Sequence, residues 1–144
     1  MGGSDEEYIN GPMDYFPIVG NDGRWMVKLK YVVSDFVAWN GVRRRSFISH
    51  YSEALIDTGT SYIIGPRLAV NKLNRQIGKY LDCSDLTNSN HPNVTFSFGK
   101  ANNTFVLTAK DYIHGENEAF HYGSCFSKFS PHDQDYWILG DTFM

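Results

Sequence analysis

The chain has 144 residues, a formal net charge of −3 and a pI near 5.9, with 42% hydrophobic and 15% aromatic residues. This fits one domain, or one lobe of something larger, with enough apolar side chains for a packed core. The charge gives no reason to expect nucleic acid, since the only basic run, Arg43-Arg44-Arg45, reads as a solvated hairpin flank, and no apolar run approaches the ~20 residues of a membrane-spanning helix.

Residues 1–23 are rich in turns, with Gly2-Gly3, Asn10-Gly11-Pro12 and Gly20-Asn21-Asp22-Gly23. Met1-Gly2-Gly3-Ser4-Asp5 has neither the basic nor the apolar region of a secretory signal. Ile18-Val19 predicts a short strand before a hairpin turn. Trp25, Val27, Leu29, Tyr31 and Val33 then alternate with Met26, Lys28, Lys30 and Val32, the period of a half-buried strand. Asn40-Gly41 predicts a type I′ hairpin joining Phe36–Trp39 to Val42–Ile48.

A strand at Ala54–Ile56 runs into Asp57-Thr58-Gly59-Thr60-Ser61. An apolar run that ends at a carboxylate followed by three hydroxyl residues and a glycine can hold that carboxylate ionised and oriented. Taken alone, the stretch fits an Asx-type turn between strand and helix equally well. Pro66 predicts the first turn of a helix over residues 67–77, with Leu68, Ala69, Val70, Leu73 and Ile77 as its apolar stripe and Gly78 as its stop.

Beyond the helix the pattern returns to short strands. They fall at Leu81–Cys83, Val94–Phe98, Phe105–Leu107, Asp111–Ile113, Cys125–Phe129 and Tyr136–Leu139, with polar loops at 84–92 and 114–123. Many short strands and one short helix make a mostly antiparallel, all-β domain. Tyr136–Leu139 ends at Gly140-Asp141, and Gly140 would let the backbone pass close to the Asp57 loop. Two cysteines, Cys83 and Cys125, do not by themselves settle the redox compartment. A bridge between them would close a loop of about 43 residues. Two sequons, at Asn93 and Asn102, tilt the reading towards the secretory pathway. The five histidines offer no tight metal pair, and no Gly-rich phosphate loop is present.

The order of these pieces resembles the C-terminal lobe of a pepsin-like aspartic peptidase, the group of pepsin and cathepsin D. Tyr8…Gly11-Pro12-Met13-Asp14-Tyr15-Phe16-Pro17-Ile18 resembles the family's Tyr-x-Gly-x-Leu-x-Tyr-x-Pro-Val pattern. Ala54 to Pro66 is similar to its second active-site motif, and Trp137-Ile138-Leu139-Gly140-Asp141-Thr142-Phe143 to its Trp-Ile-Leu-Gly-Asp-x-Phe signature. The likeness covers nearly the whole chain.

The resemblance implies an all-β pepsin-like lobe with one short helix near 67–77, spanning residues 1–144, with the N-terminal lobe and the last strands of the family absent. It implies peptide-bond hydrolysis by a water held between two aspartates, of which Asp57 is one. Thr58, Gly59, Thr60 and Ser61 would support Asp57 and line the cleft. Cys83 and Cys125 would form a disulfide, and no metal or cofactor is implied. The partners implied are a polypeptide substrate and the missing lobe, in a secreted or lysosomal protein. Two departures stand out. There is no first Asp-Thr-Gly or Asp-Ser-Gly, and Ile48–Ser52 lacks the cysteine loop that many members carry. The alternatives are a pepsin-fold binding protein that has lost catalysis, or a single lobe that pairs with its own copy as retroviral proteases do.

Overall fold

The computed structural model describes residues 13–38, 40–78, 81–82, 86, 91–99, 103–115 and 124–144. The Tyr8–Pro12 stretch of the N-terminal motif, Cys83 and Asn102 lie outside the described residues. The strands are β1 (Met26–Val37), β2 (Arg43–Ile56), β3 (Ile63–Pro66), β4 (Leu81–Asp82), β5 (Asn93–Phe98), β6 (Asn103–Leu107), β7 (Ile113–Gly115), β8 (Ser124–Ser127), β9 (Phe129–His132) and β10 (Tyr136–Leu139). Helix α1 (Arg67–Ile77) follows β3, and α2 (Ala109–Tyr112) follows β6. The result is the expected all-β lobe with its helix at 67–77.

Seven strands form one sheet in the order β6-β5-β1-β2-β10-β3-β9, and β4-β8-β7 form a small second sheet. Neighbours in the large sheet are antiparallel except β10 against β2 and β9 against β3. β1 sits inside the sheet, paired to β2 on one side and β5 on the other. Register shifts at Leu29/Tyr31 and Val32/Val33 interrupt its alternation, so Val32, Val33 and Ser34 are all buried. This departs from the single buried face that the sequence predicts. Trp25, placed on that face, is 68% exposed.

Local chemistry accounts for other departures. The β1–β2 hairpin is not type I′. Tyr51 is the one non-glycine among the described residues with positive φ, so Asn40 is not left-handed, whereas Gly41 has φ 77°. The Ala38 and Val42 backbones close a three-residue loop, and Val42 N–H also bonds the Asn40 side chain. Asp111–Tyr112 belongs to α2 rather than a strand. The Asp111 carboxylate accepts hydrogen bonds from the Thr108 N–H at 2.6 Å and the Thr108 hydroxyl at 2.9 Å, the threonine-to-acid spacing of a helix start. Cys125–Phe129 is not one strand, because the chain leaves the small sheet at Ser127 and joins the large one at Phe129. His91 and Pro92, read as a polar loop, are buried; the Tyr112 hydroxyl donates to the Pro92 carbonyl at 2.6 Å.

α1 illustrates what holds these elements. Pro66 precedes it with no side-chain cap, and its first turn holds no acid. At this end neither capping nor the helix dipole therefore supplies much; the other end has the Gly78 N–H donating to the Asn74 carbonyl and Arg75 in its last turn. Packing holds the helix: Ala69, Val70, Leu73 and Ile77 are buried against β9, β2 and β3, and each large aliphatic buried adds about 1.5–3 kcal/mol. Leu68 does not join the stripe and is 85% exposed. Polar groups fix the helix in place. The Ser34 hydroxyl donates to the Gln76 side chain, and the Asn74 amide donates to the Phe129 carbonyl at 3.1 Å.

At the centre Trp137 of β10 is fully buried, edge-on to Phe96 of β5. Its ring lies over Gly65, where an added Cβ would sit 2.5 Å from two ring carbons. A buried indole cannot swing away from such a contact, so Gly65→Ala is expected to destabilise the fold by about 1–3 kcal/mol. Denaturant midpoints of the two proteins check this; equal midpoints would disprove the packing argument.

Candidate active site

β2 carries Asp57 to the middle of the large sheet. Ala54, Leu55 and Ile56 pair in parallel register with Trp137, Ile138 and Leu139. The Asp57 N–H continues that ladder by donating to the Leu139 carbonyl at 3.1 Å. The backbone of the acid is thus fixed by core strands, while its side chain sits where the strand ends. The chain then turns tightly, with Thr60 N–H donating to the Asp57 carbonyl at 3.2 Å.

The turn delivers one donor to each carboxylate oxygen. The Gly59 N–H reaches Oδ1 at 2.9 Å, and the Thr60 hydroxyl reaches Oδ2 at 2.7 Å. The Thr60 bond, then the Gly59 bond, hold the Asp57 carboxyl below the usual carboxylate range, against a small opposing effect of burial. The shift comes from hydrogen bonds and not from a neighbouring cation. An ionised carboxylate held by two donors, with remaining lone pairs towards solvent, can orient a water molecule and accept its proton.

A second segment straps this turn from behind. Gly140 N–H donates to the Tyr62 carbonyl at 3.2 Å, Asp141 N–H to the Thr60 carbonyl at 2.8 Å, and Thr142 N–H to the Ser61 carbonyl at 3.2 Å. The Thr142 hydroxyl also donates to the Ser61 carbonyl, at 2.7 Å. A Cβ at Gly140 would overlap the Thr60 carbonyl oxygen. The close approach expected of Gly140 from the sequence is therefore present, and only a residue without a side chain permits it.

Of the three hydroxyls expected around the carboxylate, only that of Thr60 reaches it. Thr58 is exposed and makes no hydrogen bond to Asp57, and Ser61 takes part through its carbonyl. The strap residue Thr142 was not singled out by sequence, because nothing local to it signals a partner 81 positions away. Cys125 is buried on β8, opposite Leu81 of β4. Asn93 begins β5 half-buried, with its side-chain oxygen shielded from solvent and unbonded. Two concavities lie elsewhere: a 1070 Å³ groove walled by Tyr15, Phe16, Ile18, Tyr51 and Phe98, and a 360 Å³ hollow beside Arg43, Arg45 and Asn93. Neither includes Asp57.

The site is thus an acid at the end of a central strand, gripped by its own turn and strapped by the segment that follows β10. The profile of the eukaryotic aspartyl protease family matches residues 1–144, and the chain belongs to that family. It is 32% identical over 158 residues to aspartic protease Bla g 2 of Blattella germanica, and 32% identical over 155 residues to cathepsin D of Dictyostelium discoideum. It is 28% identical over 155 residues to pregnancy-associated glycoprotein 1 of Bos taurus. Each alignment covers 100% of this chain but only 39%, 37% and 37%, respectively, of the relative. The chain thus spans well under half the length of the curated relatives it matches. Among the described residues no helix is long and apolar enough to cross a membrane.

The role of Thr60 is testable without catalysis. Thr60→Val removes the donor to Oδ2, so the Asp57 midpoint is expected to rise towards the ordinary carboxylate value. A lowered folded-state pKa stabilises the fold above the unfolded pKa, and that contribution disappears as pH falls through the folded value. The stability gap between wild type and variant is therefore widest near neutrality and narrows in acid. Carbon NMR titration of the Asp57 carboxyl, with melts across pH, checks both; an unmoved midpoint refutes the assignment.

Proposed function

We propose that this chain is the C-terminal lobe of a two-lobed aspartic endopeptidase and supplies one of its two catalytic carboxylates, Asp57. The observation that carries the reading is the Asp57 carboxylate itself, which is half-buried and accepts one hydrogen bond on each oxygen, from Gly59 and Thr60. In the complete protein a second aspartate, from the other lobe, faces Asp57 across a bound water. One carboxylate takes a proton from the water as its oxygen attacks the scissile carbonyl carbon. The other, protonated, donates to the carbonyl oxygen. The resulting diol collapses with transfer of a proton to the leaving amine, without a covalent enzyme intermediate. Two carboxylates this close cannot both ionise cheaply, so they titrate as a pair.

The remaining residues take supporting roles in this reading. Gly59 and Thr60 orient the acid, Ser61 lines the substrate cleft, and Thr58, which is exposed beside Asp57, hydrogen-bonds to the partner loop. A disulfide joins Cys125 to Cys83 and staples β8 to the segment after β4. Asn93 and Asn102 are the candidate glycan sites of a secreted or lysosomal protein whose substrate is a polypeptide. An inactive binding protein is disfavoured by the intact Asp57-Thr58-Gly59-Thr60-Ser61 run and its formed hydrogen bonds.

In the full-length protein, Asp57→Asn is expected to lower acid-pH cleavage of a denatured protein substrate by on the order of 10²–10⁴-fold, the range of a lost general acid or base. The isolated chain is expected to cleave nothing, having one carboxylate where two are needed. Full activity in the Asn variant would reject Asp57 as a catalytic residue.

A further inference from the structure

We infer that Thr142 is a positioning residue for the Asp57 turn: its hydroxyl latches the Ser61 carbonyl and so keeps Thr60 aimed at the carboxylate. The inference rests on the role proposed for Asp57, but its first readouts need no catalysis.

The turn between β2 and β3 lies at the surface, with Thr58, Gly59, Ser61 and Tyr62 all exposed. Core packing therefore does not hold it. It is held by the strap, and three of the strap's four bonds come from backbone N–H groups. The fourth, from the Thr142 hydroxyl, is the one that depends on side-chain identity. It is also the better of the two bonds to Ser61. The hydroxyl lies at 2.7 Å, whereas the Thr142 N–H lies at 3.2 Å, the long end of the normal range. A carbonyl oxygen has lone pairs for both.

The geometry on either side of Thr60 explains why Ser61 matters. Thr60 N–H is tied to the Asp57 carbonyl, and the Thr60 carbonyl is tied to Asp141. The Ser61 carbonyl is the next group along the chain, and fixing it removes the remaining swing of the turn. The direction of the Thr60 hydroxyl follows from the backbone at that residue.

Thr142 is itself held rigidly. Phe143 N–H and Met144 N–H both donate to the Gly140 carbonyl, closing a turn around it. The Phe143 ring packs against Phe96 at 5.3 Å, Phe105 at 5.8 Å and Phe98 at 6.0 Å between centroids. The latch is thus mounted on the aromatic core, as a positioning group must be if it is to order a surface turn.

The test compares Thr142→Val, which keeps the shape and loses the hydroxyl, with Thr142→Ser, which keeps the hydroxyl. In the full-length protein, the Asp57 titration and amide exchange at Gly59 and Thr60 are read beside kcat and KM. In the Val variant the Asp57 midpoint is expected to rise, exchange to quicken about fivefold, and kcat to fall about fivefold with KM little changed, the effect of one lost hydrogen bond. The Ser variant is expected to match wild type in each. An unchanged titration and exchange in the Val variant overturns the inference, as does a Ser variant that behaves like Val. If Thr142→Val does not fold, Thr142→Ala against Thr142→Ser makes the same comparison. A wild-type protein that cleaves nothing would reject the proposed function, while titration and exchange would still decide the latch.

Discussion

The close passage of Gly140 over the Thr60 carbonyl is the contact on which the rest of this structure depends. A side chain there would overlap the carbonyl oxygen. With none, β10 can run on past β2 and donate successive N–H groups into the turn that follows Asp57. The parallel ladder fixes the backbone of the acid, and the strap fixes the turn that supplies its donors. Both come from one segment, residues 136–142. This turns two stretches far apart in the chain into a single unit.

That unit needs a rigid base, and the core provides one. Trp137 is the largest fully buried side chain among the described residues, seated over Gly65 and edge-on to Phe96. Phe143 extends the aromatic contacts to Phe98 and Phe105, and Phe16 reaches both from the segment before β1. On the other flank α1 is secured by burial of one face and by the Ser34–Gln76 and Asn74–Phe129 bonds, not by its N-terminal end. The exposed ion pair of Arg67 with Asp133 adds little, since charges in contact with water are well screened. Strength therefore lies in apolar packing, while the half-buried carboxylate is positioned by hydrogen bonds.

Much of this was legible in the sequence because it is encoded locally. The helix at 67–77 shows as a proline, a periodic apolar face and a glycine stop. The β5–β6 hairpin shows as alternating aromatics around Gly99, whose φ of 61° suits glycine. Other features read differently in the structure, where a second local signal competes or a distant one prevails. Asp111-Tyr112-Ile113 looks like a strand until the Thr108–Asp111 spacing is weighed as a helix start. Leu68 looks like a stripe residue, but it falls off the face formed by Ala69, Val70, Leu73 and Ile77. The alternation of β1 fails at register shifts set by its two partner strands.

What the sequence determined by itself was the family, the helix at 67–77 and Asp57 as the residue of interest, since each is carried by a contiguous motif. Tertiary structure alone decided which groups touch that acid. Of Thr58, Thr60 and Ser61, equivalent as hydroxyls in the sequence, only Thr60 donates to the carboxylate, and Ser61 instead offers its carbonyl to Thr142. The reason is physical. The direction of each group in a tight turn is set by the backbone that straps it. Here that strap comes from the far end of the chain, beyond the reach of any local pattern.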